Sequence, residues 1–195
     1  KPLDILTKAS FHNAVATVVG LGGSTNSIVH LVAMAKRSGI QLTIDEFDAI
    51  ARNTPVLANL RPGGQYLMED FYYAGGLRAF LAQMGDLIDG TQKTCVGTTL
   101  GENIAGATVY NDDVIRPRSN PMLARDGLAV LRGNLAPGGA VIKPAAMESH
   151  LRKHQGKAVV FKDYNDMSAR IDSPDLDVDR DSVIVLHSAG LRGAP

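Results

Sequence analysis

The sequence has one cysteine, Cys95, no tryptophan, and aromatic residues at only 5% of the chain. A single thiol cannot close an internal disulfide, nor can it alone hold a metal cluster. Neither sign of charge is in excess, with 20 Lys and Arg against 20 Asp and Glu. This balance argues against a general nucleic-acid-binding or anionic-membrane-binding surface, and leaves small molecules and other protein surfaces as partners. No apolar run approaches the ~18 residues that crossing a bilayer takes. The start, Lys1-Pro2-Leu3-Asp4, has no basic-then-apolar leader. The expectation is a soluble, cytoplasmic protein. No phosphate-binding P-loop, dinucleotide fingerprint or nucleophile elbow occurs.

What is present is enough apolar residue, 45% of 195 positions, for one ordinary domain or two small ones. The first half reads as helical. An apolar stretch from Ala14 to Val19 runs into Gly20-Leu21-Gly22-Gly23, and Ile28, Leu31, Val32 and Ala35 then recur at helical spacing. Lys36, Arg37 and Gly39 close that second helix. Thr43-Ile44-Asp45-Glu46 matches a capping box, with Phe47, Ile50 and Ala51 turned inward behind it. A helical pattern from Leu67 to Met84 is interrupted at Gly75-Gly76. After about Gly90 the segments become short and β-branched. Strands are expected at residues 129–132, 139–143, 158–161 and 181–186, with a polar helix at 164–170. The fold class expected is α/β, with residues 1–90 and 91–195 as two parts.

The best local candidate for chemistry is the helix start Gly22, Gly23, Ser24, Thr25 and Asn26. Glycines allow close backbone approach, and free N–H groups with the helix dipole favour an anion such as a carboxylate or phosphate. The commoner structure with this sequence is a plain glycine turn with a Ser or Thr cap. Glu69 and Asp70 open the next helical pattern; two carboxylates there suit acid–base or metal work, or simply complement the helix dipole. Tyr72 and Tyr73 are expected in the core or at a domain interface. Cys95 has no neighbouring base and is expected to be a buried structural thiol. His150 and His154 stand four apart in a basic, solvated stretch, a weak pattern for a metal pair.

Five collinear stretches resemble the dihydroxy-acid and 6-phosphogluconate dehydratase family. They are Leu21-Gly22-Gly23-Ser24-Thr25-Asn26, Thr99-Leu100-Gly101-Glu102-Asn103, Leu131-Arg132-Gly133-Asn134-Leu135-Ala136-Pro137-Gly138-Gly139, Gly156-Lys157-Ala158-Val159-Val160-Phe161 and Gly190-Leu191-Arg192-Gly193-Ala194-Pro195. Within the family, Tyr66-Leu67-Met68-Glu69-Asp70-Phe71-Tyr72-Tyr73-Ala74-Gly75-Gly76-Leu77 is most similar to enzymes acting on arabinonate or xylonate, rather than to those of branched-chain amino-acid biosynthesis.

The resemblance implies a hydro-lyase that removes water from a 2,3-dihydroxy acid, giving an enol and then a 2-keto acid. It also implies an iron–sulfur cluster acting as Lewis acid, a magnesium ion, a serine base, and a dimer or tetramer. The family pairs an α/β N-terminal domain with a β-barrel-like C-terminal domain. Residues 1–90 would be the helical end of the first and 91–195 part of the second. By the same resemblance the cluster cysteines are expected before Lys1, and the magnesium glutamate and the serine beyond Pro195. The chain is then an internal fragment, inactive alone, whose contribution is Gly22, Gly23, Ser24, Thr25 and Asn26 as substrate-contacting residues. Leu186-His187-Ser188 departs from the family pattern. The alternative is a non-catalytic anion-binding or interaction module built on the same helix start.

Overall fold

The computed structural model describes residues 1–189, so the terminal motif at 190–195 lies outside the described residues. Two compact units are formed, Lys1–Met147 and Glu148–Pro195.

In the first unit a short α1 (Pro2–Ile5) leads into α2 (Lys8–Gly20), α3 (Asn26–Arg37) and α4 (Ile44–Asn53). Helix α2 lies between two apolar clusters. Phe11, Val15 and Val19 join Ile28 and Leu31 of α3, Phe47 and Ala51 of α4, and Leu128. Ala16 faces the other cluster, with Leu57, Phe71, Phe80, Met84 and Ile115. A helix buried on two sides cannot keep a single apolar stripe, which accounts for the nearly unbroken run at 14–19. Each large side chain buried this way contributes about 1.5–3 kcal/mol.

The capping box at α4 forms as the sequence indicates. Glu46 N–H donates to Thr43 Oγ1 at 3.2 Å, and Thr43 N–H donates to the Glu46 carboxylate at 2.8 Å. Lys8 pairs with the same carboxylate.

The expected interruption at Gly75-Gly76 divides α5 (Met68–Tyr73) from α6 (Gly76–Met84). Gly75 has φ +118°, and a Cβ there would lie 2.4 Å from the carbonyl oxygen of Thr108. Only glycine fits such a close approach. Tyr72 and Tyr73 are not core residues, at 73% and 69% exposed. Their rings pack edge-on against each other, with centroids 5.4 Å apart, on the outside of a helix only six residues long.

Beyond Gly90 come α7 (Leu100–Ile104), capped by Thr99, and a hairpin of β1 (Ala129–Leu131) and β2 (Ala140–Ile142). The strands are antiparallel, with Ala129 opposite Ile142. Val114, Ile115 and Leu128 from this stretch are buried in the two clusters around α2.

The second unit holds β3 (Ala158–Phe161), α8 (Tyr164–Arg170) and β4 (Val183–Leu186). The strands pair in parallel, Ala158 with Val183 through Phe161 with Leu186. A parallel pair needs a crossover, and α8 lies within it. Alternation along β3 buries Val159 and Phe161, and the Arg170 guanidinium lies 5.0 Å from the Phe161 ring centroid. The architecture is mixed helix and small sheet, as expected for α/β. No helix among the described residues is long and apolar enough to cross a membrane.

Candidate functional site

The turn between α2 and α3 is built first as a helix ending. Gly22 N–H donates to Val19 O at 2.9 Å and Gly23 N–H to Val18 O at 2.8 Å, with Gly22 at φ +62°. This is a Schellman stop, in which a left-handed residue turns the chain and the last carbonyls of the helix are satisfied. The two glycine N–H groups are therefore committed to α2 and are not among the free N–H groups of the helix start. The expected side-chain cap on α3 comes from Ser24 rather than from Thr25. Thr25 occupies the cap position with helical dihedrals and no capping bond. Asn26 N–H instead donates to Ser24 Oγ at 3.2 Å. Among the described residues the N–H groups of Ser24 and Thr25 make no hydrogen bond.

Three other segments converge on this turn. The carbonyl of Gly20 accepts from Leu57 N–H at 2.8 Å, which draws the 57–62 strand-like segment under the end of α2. Gly20 lets the side chains of α6 pack close, since a Cβ would stand 2.8 Å from Met84 Sδ and 3.0 Å from Phe80 Cζ and those tips would have to shift. Asn59 is 2% exposed and fixes the loop that follows. Its Nδ2 donates to Asp113 O at 3.0 Å, and its Oδ1 accepts from Gln65 N–H at 3.0 Å. Gly64 packs against it so closely that a Cβ would come within 2.5 Å of the Asn59 backbone. From beyond β2, Lys143 reaches back across 121 positions, and its ammonium donates to Gly22 O.

The result is an open cavity of about 500 Å³, lined on one side by residues 21–25 and closed by Leu60, Arg61, Pro62, Met68 and Lys143. That volume suits a small organic ligand. Gly22, Gly23, Ser24 and Thr25 lie on it; Asn26, the first residue of α3, does not. Partial burial strips water from the Lys143 ammonium and moves its pKa below the ordinary lysine value.

Sequence reasoning missed Arg61, Lys143 and Asn59 as parts of the site. Arg61-Pro62-Gly63-Gly64 is a local turn signal, and such a signal does not say where in the fold the turn lies. Lys143 looked like the polar end of a strand, and a long-range contact of this kind leaves no periodic signal.

The remaining candidates do not join the cavity. Asp70 accepts from Leu67 N–H at 2.8 Å, so it caps α5. Cys95 is exposed in a tight turn closed by Thr94 N–H to Thr98 O at 2.8 Å, not buried as expected. His150 lies in a short 3-10 turn that ends at Arg152, before His154. His154 Nε2 instead meets Asp181 O at 2.8 Å, so no shared helix face forms. Among the described residues no group of three or more His, Cys, Asp or Glu side chains is placed to hold a metal ion. With one thiol in the chain, the donor set here does not fit an iron–sulfur cluster.

Residues 1–103 match the family described as dihydroxy-acid/6-phosphogluconate dehydratase N-terminal, and residues 113–195 match its C-terminal counterpart. The L-arabinonate dehydratase of Rhizobium leguminosarum bv. trifolii is 43% identical over 100% of the chain, which covers 34% of that relative. The 6-deoxy-6-sulfo-D-gluconate dehydratase of Pseudomonas putida is also 43% identical, over 100% of the chain and 34% of its own length. The dihydroxy-acid dehydratase of Caldicellulosiruptor bescii is again 43% identical, over 100% of the chain and 35% of its own length. The chain thus spans about a third of the length of the curated relatives it matches. It belongs to the dihydroxy-acid/6-phosphogluconate dehydratase family.

Proposed function

We propose that the protein containing this chain is a hydro-lyase that dehydrates a 2,3-dihydroxy acid, of the sugar-acid kind, to a 2-keto acid. The observation that carries this reading is the pair of family matches over residues 1–103 and 113–195. The sugar-acid preference is supported by the segment Tyr66 to Leu77. When bound, the iron–sulfur cluster and magnesium of such an enzyme supply Lewis acidity. Among the described residues no donor set fits those groups, and we propose that their ligands lie in other segments of the protein.

The role proposed for this chain is to hold the acid. Ser24 and Thr25 offer two uncommitted backbone N–H groups and two hydroxyls at the start of a 12-residue helix, where a negative group is favoured. Gly22 and Gly23 set the backbone path, and Asn26 anchors the turn through Ser24 Oγ. We also place the junction of the two family domains near Gly90, with a barrel-like C-terminal part. Support comes from the change to short β-branched segments there and the nearby break between the family matches. A cytoplasmic homo-oligomer completes the proposal.

The test uses the full-length protein loaded with cluster and magnesium. Release of 2-keto acid from arabinonate is expected, and Ser24→Ala combined with Thr25→Val should raise KM about tenfold through lost hydrogen bonds. If no 2-keto acid forms from arabinonate, xylonate or a branched-chain dihydroxy acid, the reading fails. Binding without turnover would then favour the anion-binding module.

A further inference from the structure

The cavity lining carries two cations, Lys143 and Arg61, and no acidic residue, in a chain whose charges otherwise balance. Among the described residues no carboxylate lies within salt-bridge distance of either. Their protein partners are all neutral carbonyls. Lys143 donates to Gly22 O, and Arg61 Nε donates to Gln65 O at 3.2 Å. A lysine ammonium has three donors and a guanidinium five, so both keep donors free.

The situation of Lys143 is costly without a further partner. Its head is partly withdrawn from water, which disfavours the charged form, and no counter-charge offsets that. Three other cations that close long-range contacts in this unit do so onto acids, Lys8 onto Glu46, Arg118 onto Asp86 and Arg132 onto Asp45, while Arg78 closes one onto the carbonyl of Asn103 at 2.8 Å, away from the cavity. Lys143 and Arg61 are held in the cavity by carbonyls instead, which leaves their charge to whatever enters.

We propose that Lys143 and Arg61 form the charged seat of this cavity, and that the anion it takes is a carboxylate of the hydroxy-acid substrate. Lys143 is the principal binding residue and Arg61 the second. Held against Gly22 O, the ammonium lies beside the same turn whose Ser24 and Thr25 N–H groups are uncommitted. One anion can then be met by charge and by backbone donors together. The seat needs no rearrangement of the glycine turn, because Gly22 and Gly23 are already locked to α2.

This inference rests on the dehydratase reading, and its test separates the two. In the full-length protein, Lys143→Met should raise KM for arabinonate at least tenfold, with kcat changed less than threefold. Lys143→Arg should restore much of the loss. Binding of arabinonate measured by calorimetry should weaken in parallel and fall with added salt. Binding of the uncharged alcohol arabinitol, which lacks the carboxylate, should not depend on Lys143. An unchanged KM in Lys143→Met, with wild-type turnover intact, overturns the inference and leaves the dehydratase reading standing. Wild-type protein that makes no 2-keto acid but binds arabinonate only when Lys143 is present overturns the dehydratase reading and supports the seat. If Lys143→Met fails to fold, the exposed Arg61→Gln is read in its place. A KM increase of threefold or more supports the seat, and a smaller change overturns it.

Discussion

Gly22→Ala and Gly39→Ala make a matched pair that separates the structural and functional roles of the glycine turn. Both residues sit just past the end of a helix in the left-handed region, at φ +62° and +74°. Both belong to the same kind of stop. In the second, Ile40 N–H donates to Ala35 O at 2.8 Å and Gly39 N–H to Lys36 O at 3.1 Å. A new Cβ is sterically tolerable at each position. It would meet Val56 Cγ1 at 3.4 Å from Gly22 and nothing within 4 Å from Gly39. The cost is then the left-handed conformation itself, about 1–2 kcal/mol for an L-residue, partly offset by the stiffer unfolded chain. For a unit of this size, a net loss of ~1 kcal/mol lowers Tm by roughly 2–4 °C. Differential scanning calorimetry should show nearly equal drops for the two variants. Substrate affinity should fall only in Gly22→Ala, because Gly39 does not line the cavity of residues 21–25 and Lys143. If Gly22→Ala melts with the wild type while Gly39→Ala does not, the left-handed stop at α2 is wrong. Equal loss of affinity in both would refute the assignment of the turn to the site.

Two further substitutions test the scaffold. Glu46 has its pKa lowered from 4.5 to about 2, chiefly by its hydrogen bond from Lys8 and then by the backbone N–H of Thr43. A carboxylate with a depressed pKa contributes stability that is present above its unfolded value and lost as pH falls through the folded one. Glu46→Gln should therefore cost about 1–2 kcal/mol at pH 7 after allowance for solvent screening. The gap to wild type should close between pH 4.5 and 2, and urea titrations showing a constant gap across that range would contradict the ion pair. Asn59→Ala removes both side-chain bonds of a buried residue and should cost about 2–4 kcal/mol. It should also weaken acid binding by loosening the loop that carries Arg61; a loss under ~1 kcal/mol by chemical denaturation would mean the loop is held by something else.

The elements written in local pattern were the legible ones. The capping box at Thr43, the break at Gly75-Gly76, the hairpin around residues 132–139 and the β3–α8–β4 succession all depend on neighbours within a few positions. Their signals are periodicity, caps and turn residues. Exposure was less legible. Tyr72 and Tyr73, expected in the core or at a domain interface, are not in the core, and Cys95, expected to be buried, is exposed: a six-residue helix and a tight turn leave them outside. The site was half legible. Its glycine turn is a local motif. Lys143 and Asn59, whose roles depend on contacts with Gly22 and Asp113, could not be found by spacing.

The glycine pair also shows why a glycine-rich helix start is an ambiguous sign of anion binding. Free N–H groups and a tight turn compete for the same residues. A chain that stops one helix and starts another within five positions must use some of those N–H groups on the first helix. Here Gly22 and Gly23 are spent on α2, so the donors that remain belong to Ser24 and Thr25. Two neutral N–H groups and a helix end provide direction for an anion but limited charge, since the dipole contributes only about 0.3–1 kcal/mol near a surface. The positive charge at the cavity comes instead from Lys143 and Arg61, each delivered by a different loop. Selectivity for a carboxylate over a neutral sugar should therefore follow the two side chains, while the orientation of the bound acid should follow the turn. Substitutions at the two places should then separate in kind: Lys143 and Arg61 changes alter salt dependence, and Ser24 and Thr25 changes do not.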